Sequence, residues 1–421
     1  MANGTVKRIV IIGAGQAGGE AAARLRGLGF GGEILLLGAE RHPPYQRPPL
    51  SKKFLTGELP YERLLLRPAE LYAQEGIALL TGERAVWIDR AAKRVRLAGG
   101  REVGYDALIL ATGAKPRKLP IPGAEKAGVF ELRTLDDVEA MRAAFRPGAK
   151  LAVIGAGYIG LEAAASARQL GLDVSVIEAG VRPLGRVTSP ELAEYFMELH
   201  AAHGVRFLLG AQAAAILGGD RVEGLELKDG TRLACDCVLV GVGVVPEVEL
   251  AAACGLAVED GVLTDEYCRT FDPAIYAVGD CASRPIPLYA NRSMRLESVH
   301  NAIEGAKIAA AAIVGAPPPV LEAPWFWSDQ YDAKLTIAGL FQGYDKIALR
   351  GAPSGEGGFA AFYYRDGRMI AVDAVNRPAE YLGAKQLLQR GLSIEPAAAQ
   401  DVTRPFKTIM AEARAVPAGK G

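Results

Sequence analysis

The clearest chemistry in the chain is carried by two short glycine runs. RIVIIGAGQAGGEAAARLRGLGF (8–30) and LAVIGAGYIGLEAAASARQLGL (151–172) are one pattern written twice. Each reads as a β-branched apolar strand, a G-x-G-x-x-G turn and an alanine-rich helix. The glycines are Gly13, Gly15 and Gly18, then Gly155, Gly157 and Gly160. The first allows the tight turn, the second lets backbone approach a pyrophosphate, and the third lets helix pack on strand. The helix that follows points free N–H groups and a partial positive charge at the phosphates. Two such units, each with its strand and helix, point to two dinucleotides. The second unit runs on through DVSVIEAG to Glu178, at the distance where an acid accepts hydrogen bonds from an adenosine ribose and repels a 2′-phosphate. NADH is therefore expected over NADPH, although Arg182 lies close enough to hold a phosphate. In the first unit Gly38 takes the usual acidic position, and Ala39 and Glu40 follow it.

Two further segments end apolar strands with polar or small residues. YDALILATGAKPR reaches Ala111-Thr112-Gly113, and TFDPAIYAVGDCA reaches Gly279-Asp280. A rigid basic stretch, PYQRPPLSKKFL (44–55), has three prolines, Arg47, Lys52 and Lys53, and no acid. Pro48 and Pro49 stiffen its entry, and Ser51 is placed to cap a helix started by SKKFL. No cysteine precedes Cys235. The five cysteines are an odd number, against a full disulfide framework. Cys235 and Cys237, in TRLACDCVLVGVG, read as plain strand cysteines rather than as a metal or redox pair.

The elements that position these residues follow from the bulk of the chain. Its 421 residues exceed one ordinary domain. Half are hydrophobic and 50 are glycine, which suits an α/β protein with many strand-to-helix turns. Lys plus Arg equals Asp plus Glu at 48 each, which argues against bulk nucleic-acid binding. MANGTVKRIVIIGAG runs directly into a strand, with an apolar run too short for a signal peptide or membrane span. A cytoplasmic protein with no membrane partner is the expectation.

Taken in order and spacing, GAGQAG, ATGAKP, GAGYIGLE, VGVGVVP and AVGDC resemble the flavoprotein pyridine nucleotide-disulfide oxidoreductase superfamily. Within it, PYQRPPLSKKFL, LRTLDD, RLESVHNA, APWFWSDQYD and VDAVNRP resemble the NADH-dependent ferredoxin reductases, which serve cytochrome P450s and Rieske-type dioxygenases. The resemblance covers essentially the whole chain. It implies an α/β fold of two Rossmann-type, glutathione-reductase-like domains plus a C-terminal α+β domain. The FAD domain would be split, 1–115 and 248–323, around an NAD domain at 116–247, with the last domain at 324–421. FAD and NADH would be the cofactors and a [2Fe–2S] ferredoxin the partner, feeding a downstream oxygenase.

Residue roles follow from the same resemblance. Disulfide-reductase relatives carry a Cys-x-x-x-x-Cys pair near the position of this basic stretch; here electrons must leave the flavin directly for a partner protein. Lys52 would point at the flavin ring and pair with Glu162 close to N5. Gly13, Gly15, Gln16, Ala17 and Gly18 would meet the FAD pyrophosphate. Ala39 stands where the family pattern has an aspartate, so the ribose falls to Glu40 or to backbone. Arg47, Ala85, Ala111, Thr112, Gly113, Arg133, Gly279, Asp280 and Val299 would complete the FAD shell. On the NAD side stand Gly155, Gly157, Tyr158, Ile159, Gly160, Glu162 and Glu178, with Gly241, Val242 and Gly243 at the far strand end and Glu297 near the nicotinamide. Tyr158 reads equally as a cover for the flavin or as a core tyrosine. Trp325 and Trp327, two apart in a strand, would share a face, and Trp327 would lie against the flavin.

Arg41, Arg47, Lys53, Arg284, Arg292 and Arg295 would form a basic rim for an acidic ferredoxin. No acid–base triad or metal is called for. Of the four histidines, His200 and His203 read as an exposed helix end. Two other readings share the fold: a rubredoxin reductase or NADH oxidase, and a signalling flavoprotein resembling apoptosis-inducing factor. The oxidase needs an early flavin-proximal cysteine, and the signalling protein a long C-terminal insertion and a targeting peptide.

Overall fold

The computed structural model describes residues 6–355 and 357–415. The chain divides into two compact units. One comprises 1–47, 60–115 and 244–322, the other 48–59, 116–243 and 323–421.

In the first unit a five-stranded parallel sheet has the spatial order Ile275–Ala277, Ala107–Leu110, Arg8–Ile12, Glu33–Gly38, Ile77–Thr81. Near-continuous Ile, Leu and Val suit strands buried on both faces. Arg8–Ile12 is central, and the chain leaves it first to one side and later returns on the other. The crevice at its carboxyl end is thus a topological switch point, where open α/β sheets bind ligands. Helices Gln16–Gly27 and Val299–Val314 pack together over one face of this sheet through Ala17, Ala21, Ala22, Ala302, Ala306 and Ala309. Small alanine faces let the two helices approach closely. Ser298 caps the second helix by accepting from Asn301 N at 3.0 Å.

The second unit repeats this sheet, in the order Arg206–Leu209, Asp173–Glu178, Lys150–Ile154, Cys237–Val240, Val129–Phe130, again all parallel. Helix Tyr158–Gln169 follows the glycine turn, and helix Pro190–Ala202 precedes Arg206–Leu209. The unit also contains an antiparallel sheet ordered Trp325–Gln330, Ala333–Gly339, Arg368–Val375, Phe359–Arg365, Lys346–Arg350. Helices Pro378–Gln389 and Phe406–Ala415 cover it, burying Phe362, Val372, Leu387 and Ile409. No helix among the described residues is long and apolar enough to cross a membrane.

The basic stretch departs from its expected conformation. SKKFL starts no helix: a 3-10 turn, Pro48–Ser51, runs into turns through Gly57. Nucleating a helix in so few residues is unfavourable, and Phe54 and Leu55, adjacent in sequence, are both buried. The Arg142 guanidinium lies 4.2 Å over the Phe54 ring and donates to the Leu55 carbonyl. Ser51 is therefore not a helix cap.

Candidate active site

Both glycine turns close tightly on strand and helix and leave open space at their middle glycine. Gly13 has φ +111°, and a Cβ there would sit 2.1 Å from the Ala111 carbonyl oxygen. A Cβ on Gly18 would lie 1.9 Å from Gly13 O, so strand, turn and helix close onto one another. Gly15 differs: a Cβ there would meet nothing within 4 Å. The second turn matches, with Gly155 at φ +102° against Gly241 O, Gly160 against Gly155 O, and open space at Gly157. Gly15 and Gly157 are the N-caps of their helices, and neither end has a side-chain cap. First-turn N–H groups thus face open space at both switch points, which fits the pyrophosphate of a dinucleotide in each.

Around the first cradle, Gln16 and Ala17 open the helix, and Ala111, Thr112 and Gly113 follow the strand Ala107–Leu110. The Thr112 hydroxyl donates to Glu247 O at 2.6 Å. Gly279, at φ +77°, and Asp280 form a 3-10 turn after Ile275–Ala277, and Val299 opens its helix. Ala85 begins the strand Ala85–Asp89. Ala39 is exposed, whereas Glu40 holds Arg47 at 2.5 Å and accepts from the Tyr45 hydroxyl. Arg47 also lies over the Tyr45 ring. Glu297 belongs to this first unit, exposed and paired with Arg295 at 2.5 Å.

Around the second cradle, Glu178 ends its strand and turns back on the loop. Its carboxylate accepts from Ala156 N at 2.8 Å and Gly180 N at 2.7 Å. Two backbone donors fix an acid at the mouth of the turn. Gly241, Val242 and Gly243 leave the strand Cys237–Val240, with Gly241 N on Ile154 O. Tyr158 and Ile159 open the helix; Ile159 is exposed, whereas the Tyr158 ring lies 5.0 Å from that of Phe326. Burial, then the nearby Asp373 and Glu162 carboxylates, hold the Tyr158 phenol well above its ordinary value.

Lys52 and Glu162 meet in the second unit, with Lys52 Nζ 2.6 Å from Glu162 Oε2 and side chains only 14% and 5% exposed. A buried ion pair persists only if its remaining valences are filled. Glu162 Oε2 also accepts from Ser51 Oγ at 2.5 Å, Oε1 accepts from Ser328 Oγ at 2.6 Å, and Lys52 donates to Pro48 O. Ser166, one turn along the helix from Glu162, donates to Ser51 O at 2.7 Å. The helix thus grips the basic stretch at two points. Arg133 precedes the helix Leu135–Ala144, and Trp327 lies in Trp325–Gln330; both are in this unit. The Trp325 and Trp327 rings share a face, 5.7 Å apart.

Two expectations fail. Arg284 is no rim cation: it is 4% exposed, bound to Glu304 and donating to Asn301 Oδ1. Arg295 is tied to Asp260 and Glu297 with its side chain 11% exposed. Arg41, Lys53 and Arg292 are exposed. His200 does not lie at an exposed helix end either. It is fully buried, with Nε2 2.7 Å from Gln330 Oε1, while His203 alone is exposed. The helix end packs under the turn at Tyr331, a contact between residues far apart in sequence. Ser328 and Gln330 escaped notice for the same reason, and Ser51 was read only as a helix cap. The one signal was alternation in WFWSDQ, which puts Phe326, Ser328 and Gln330 on the face opposite the tryptophans.

The pyridine nucleotide-disulphide oxidoreductase family matches residues 7–306, and a reductase C-terminal family matches 325–410. The chain is 48% identical over 385 residues to a probable ferredoxin reductase of Castellaniella defragrans, covering 91% of this chain and 94% of that one. It is 45% identical to rhodocoxin reductase of Rhodococcus erythropolis, covering 96% and 94%. The crystal structure of the covalent putidaredoxin reductase–putidaredoxin complex superposes with a TM-score of 0.95 at 41% identity, covering 99% of this chain and all of that one. The protein therefore belongs to the pyridine nucleotide-disulphide oxidoreductase family and, within it, to the ferredoxin reductases, enzymes that use FAD and NAD(P)H.

Proposed function

We propose that this protein carries electrons from NADH through FAD to a [2Fe–2S] ferredoxin serving a cytochrome P450 or a Rieske-type oxygenase. The observation that carries the reading is the buried Lys52–Glu162 pair in a chain with no cysteine before Cys235. Where disulfide reductases hold a redox dithiol, a fixed cation stands instead. Bound FAD supplies exchange of a hydride's two electrons with nicotinamide and of single electrons with an iron–sulfur protein. The chain's own part is to bind, orient and polarise.

In this reading the turn at Gly13, Gly15 and Gly18 takes the FAD pyrophosphate, with Gln16 and Ala17 donating from the helix start. Ala111, Thr112, Gly113, Gly279, Asp280 and Val299 line the same molecule, with Ala39, Arg47 and Ala85 at its edges; family resemblance adds Arg133 and Trp327. Because Arg47 and Tyr45 occupy the Glu40 carboxylate, Glu40 meets the ribose with only its spare lone pairs. The turn at Gly155, Gly157 and Gly160 takes NADH; Glu178 receives the ribose hydroxyls and repels a 2′-phosphate. Tyr158, Ile159, Gly241, Val242 and Gly243 line it, and family resemblance assigns Glu297 to the nicotinamide. Lys52 holds positive charge where electron density arrives, and Glu162 keeps Lys52 in place. The domain division proposed with this reading is 1–115 with 248–323 for FAD, 116–247 for NADH and 324–421 at the C-terminus. The ferredoxin is steered by exposed cations, of which Arg41, Lys53 and Arg292 remain.

Reduction of cytochrome c by NADH, measured with and without an added [2Fe–2S] ferredoxin, tests this directly. Fast reduction that depends on the ferredoxin is expected. Equal rates without it, or a rate restored only by a rubredoxin, overturn the reading.

A further inference from the structure

Glu162 lies at the inner end of a hydrogen-bond chain that reaches the surface. Ser328 Oγ is 2.6 Å from Glu162 Oε1, Gln330 Nε2 is 3.1 Å from Ser328 Oγ, and His200 Nε2 is 2.7 Å from Gln330 Oε1. Tyr331 OH stands 3.5 Å from His200 Nδ1. Ser328, Gln330 and His200 are each 0% exposed. Alternation in the strand aims one face at two helices: Phe326 on Tyr158 and Ser328 on Glu162 in Tyr158–Gln169, and Gln330 on His200 in Pro190–Ala202.

Valence gives the chain a direction. The Glu162 carboxylate only accepts, so the single Ser328 hydrogen is committed to Oε1. Ser328 Oγ must then receive from the Gln330 amide nitrogen, which turns the Gln330 oxygen toward His200. His200 must carry its proton on Nε2, leaving Nδ1 to accept from Tyr331. The groups facing His200 agree with a neutral ring. Burial pushes its pKa down to about 4, exposed His203 on the same helix adds to this, and the Gln330 bond opposes it. Tyr331 adopts φ +55°, a left-handed conformation disfavoured for a bulky residue, and its ring stacks on His203 at 3.7 Å. The outer end of the chain is therefore held against a backbone cost.

A proton does not pass along this chain, because Gln330 would have to become an imidic acid. What the chain transmits is orientation. We propose that Ser328, Gln330 and His200 are positioning residues for the Lys52–Glu162 pair, orienting the Glu162 carboxylate with its second oxygen turned toward Lys52. The inference rests on the proposed role of that pair beside the flavin.

The test combines stopped-flow reduction of the bound FAD by NADH, ring 15N NMR of the histidines and melting temperature. His200 should appear at pH 7 as a neutral ring with hydrogen on Nε2; a chain with four histidines makes assignment by substitution practical. His200→Gln, which keeps an N–H near the Nε2 position, should reduce FAD close to the parent rate. His200→Leu and Gln330→Glu should slow it on the order of tenfold, as expected for losing one hydrogen bond to a charged group. Gln330→Glu keeps the shape but reverses the direction: its carboxylate accepts from both neighbours, and the Ser328 hydrogen leaves Glu162. A parent-like reduction rate in His200→Leu and Gln330→Glu, with only the melting temperature lowered, overturns the inference. So does a His200 ring protonated on Nδ1 alone. If His200→Leu does not fold, Gln330→Glu and the tautomer decide. Lys52→Met and Glu162→Gln separate the two claims. If they too keep the parent rate, the proposed role of the pair falls together with its positioning chain; if they are slow and the chain variants are not, only the chain falls.

Discussion

The Glu178 carboxylate accepts from the amides of Ala156 and Gly180, so it closes the second glycine turn as well as facing the proposed ribose. NADH should be preferred over NADPH by roughly thirty- to a thousandfold in kcat/KM, the equivalent of about 2–4 kcal/mol for a lost hydrogen bond plus repulsion. Glu178→Ala should narrow the gap mainly by weakening NADH, because the variant also frees two backbone donors and loosens the turn. Steady-state kinetics with both nucleotides checks this; equal efficiency in the parent would place Arg182 in control. His200 gives a second prediction, in stability. Its folded pKa of about 4 lies below the ordinary 6.5, so between these values the unfolded chain binds more protons. Stability contributed by neutral His200 is complete above about 6.5 and lost as pH falls toward about 4. Relative to His200→Gln, the parent should lose roughly 3 kcal/mol across that window, at 1.36 kcal/mol per pKa unit. Denaturant melts from pH 7 to pH 4 read it, and parallel curves would contradict it.

At the scale of elements, the glycine turns separate two roles that the motif merges. A side chain at Gly18 collides with the Gly13 carbonyl, whereas one at Gly15 enters open space with ordinary φ of −93°. Gly15→Ala should fold with near-parent melting of the apoprotein yet bind FAD poorly, because the methyl occupies the pyrophosphate cradle. Gly18→Ala should lose both FAD and stability, since strand and helix must part. Flavin absorbance per mole of protein, compared with apoprotein melting, distinguishes the two; an FAD-replete Gly15→Ala protein would move the phosphate elsewhere. The basic stretch teaches a related lesson. Its residues were legible as rigid and basic, and Lys52 with Glu162 followed from family resemblance. Its shape was not legible, because Phe54, Leu55 and Ser51 are fixed by Arg142, Ser166 and Glu162, residues distant along the chain.

Across the whole molecule, electron delivery should ignore thiols and respond to salt. Four of the five cysteines are buried and Cys254 is half-buried. Burial raises the pKa of every one, Cys281 beside Asp280 included. Alkylation at pH 7 should leave reduction of a neutral quinone by NADH intact. Ferredoxin-dependent activity should fall as ionic strength rises, since exposed cations act across a screening length of about 8 Å at physiological salt. Replacing Arg41, Lys53 and Arg292 by glutamate should raise the apparent KM for ferredoxin and leave stopped-flow FAD reduction unchanged. An unchanged KM at low salt would place docking on another face.

The sequence alone determined what is local and repeated. Strand, glycine turn and helix lie within about 30 residues, and Gly18 and Gly160 answer to the carbonyls of Gly13 and Gly155 in their own turns. Those turns, the apolar parallel strands around them and the missing early dithiol could therefore be read directly. Only tertiary structure decided which polar groups would be buried together. Arg284 looked like a surface cation until Glu304 and Asn301 closed around it, and His200 looked like a helix end until Gln330 arrived from a strand far along the chain. Burial of a polar side chain depends on a partner that pattern does not name, because the partner's position is set by how the sheets and helices pack.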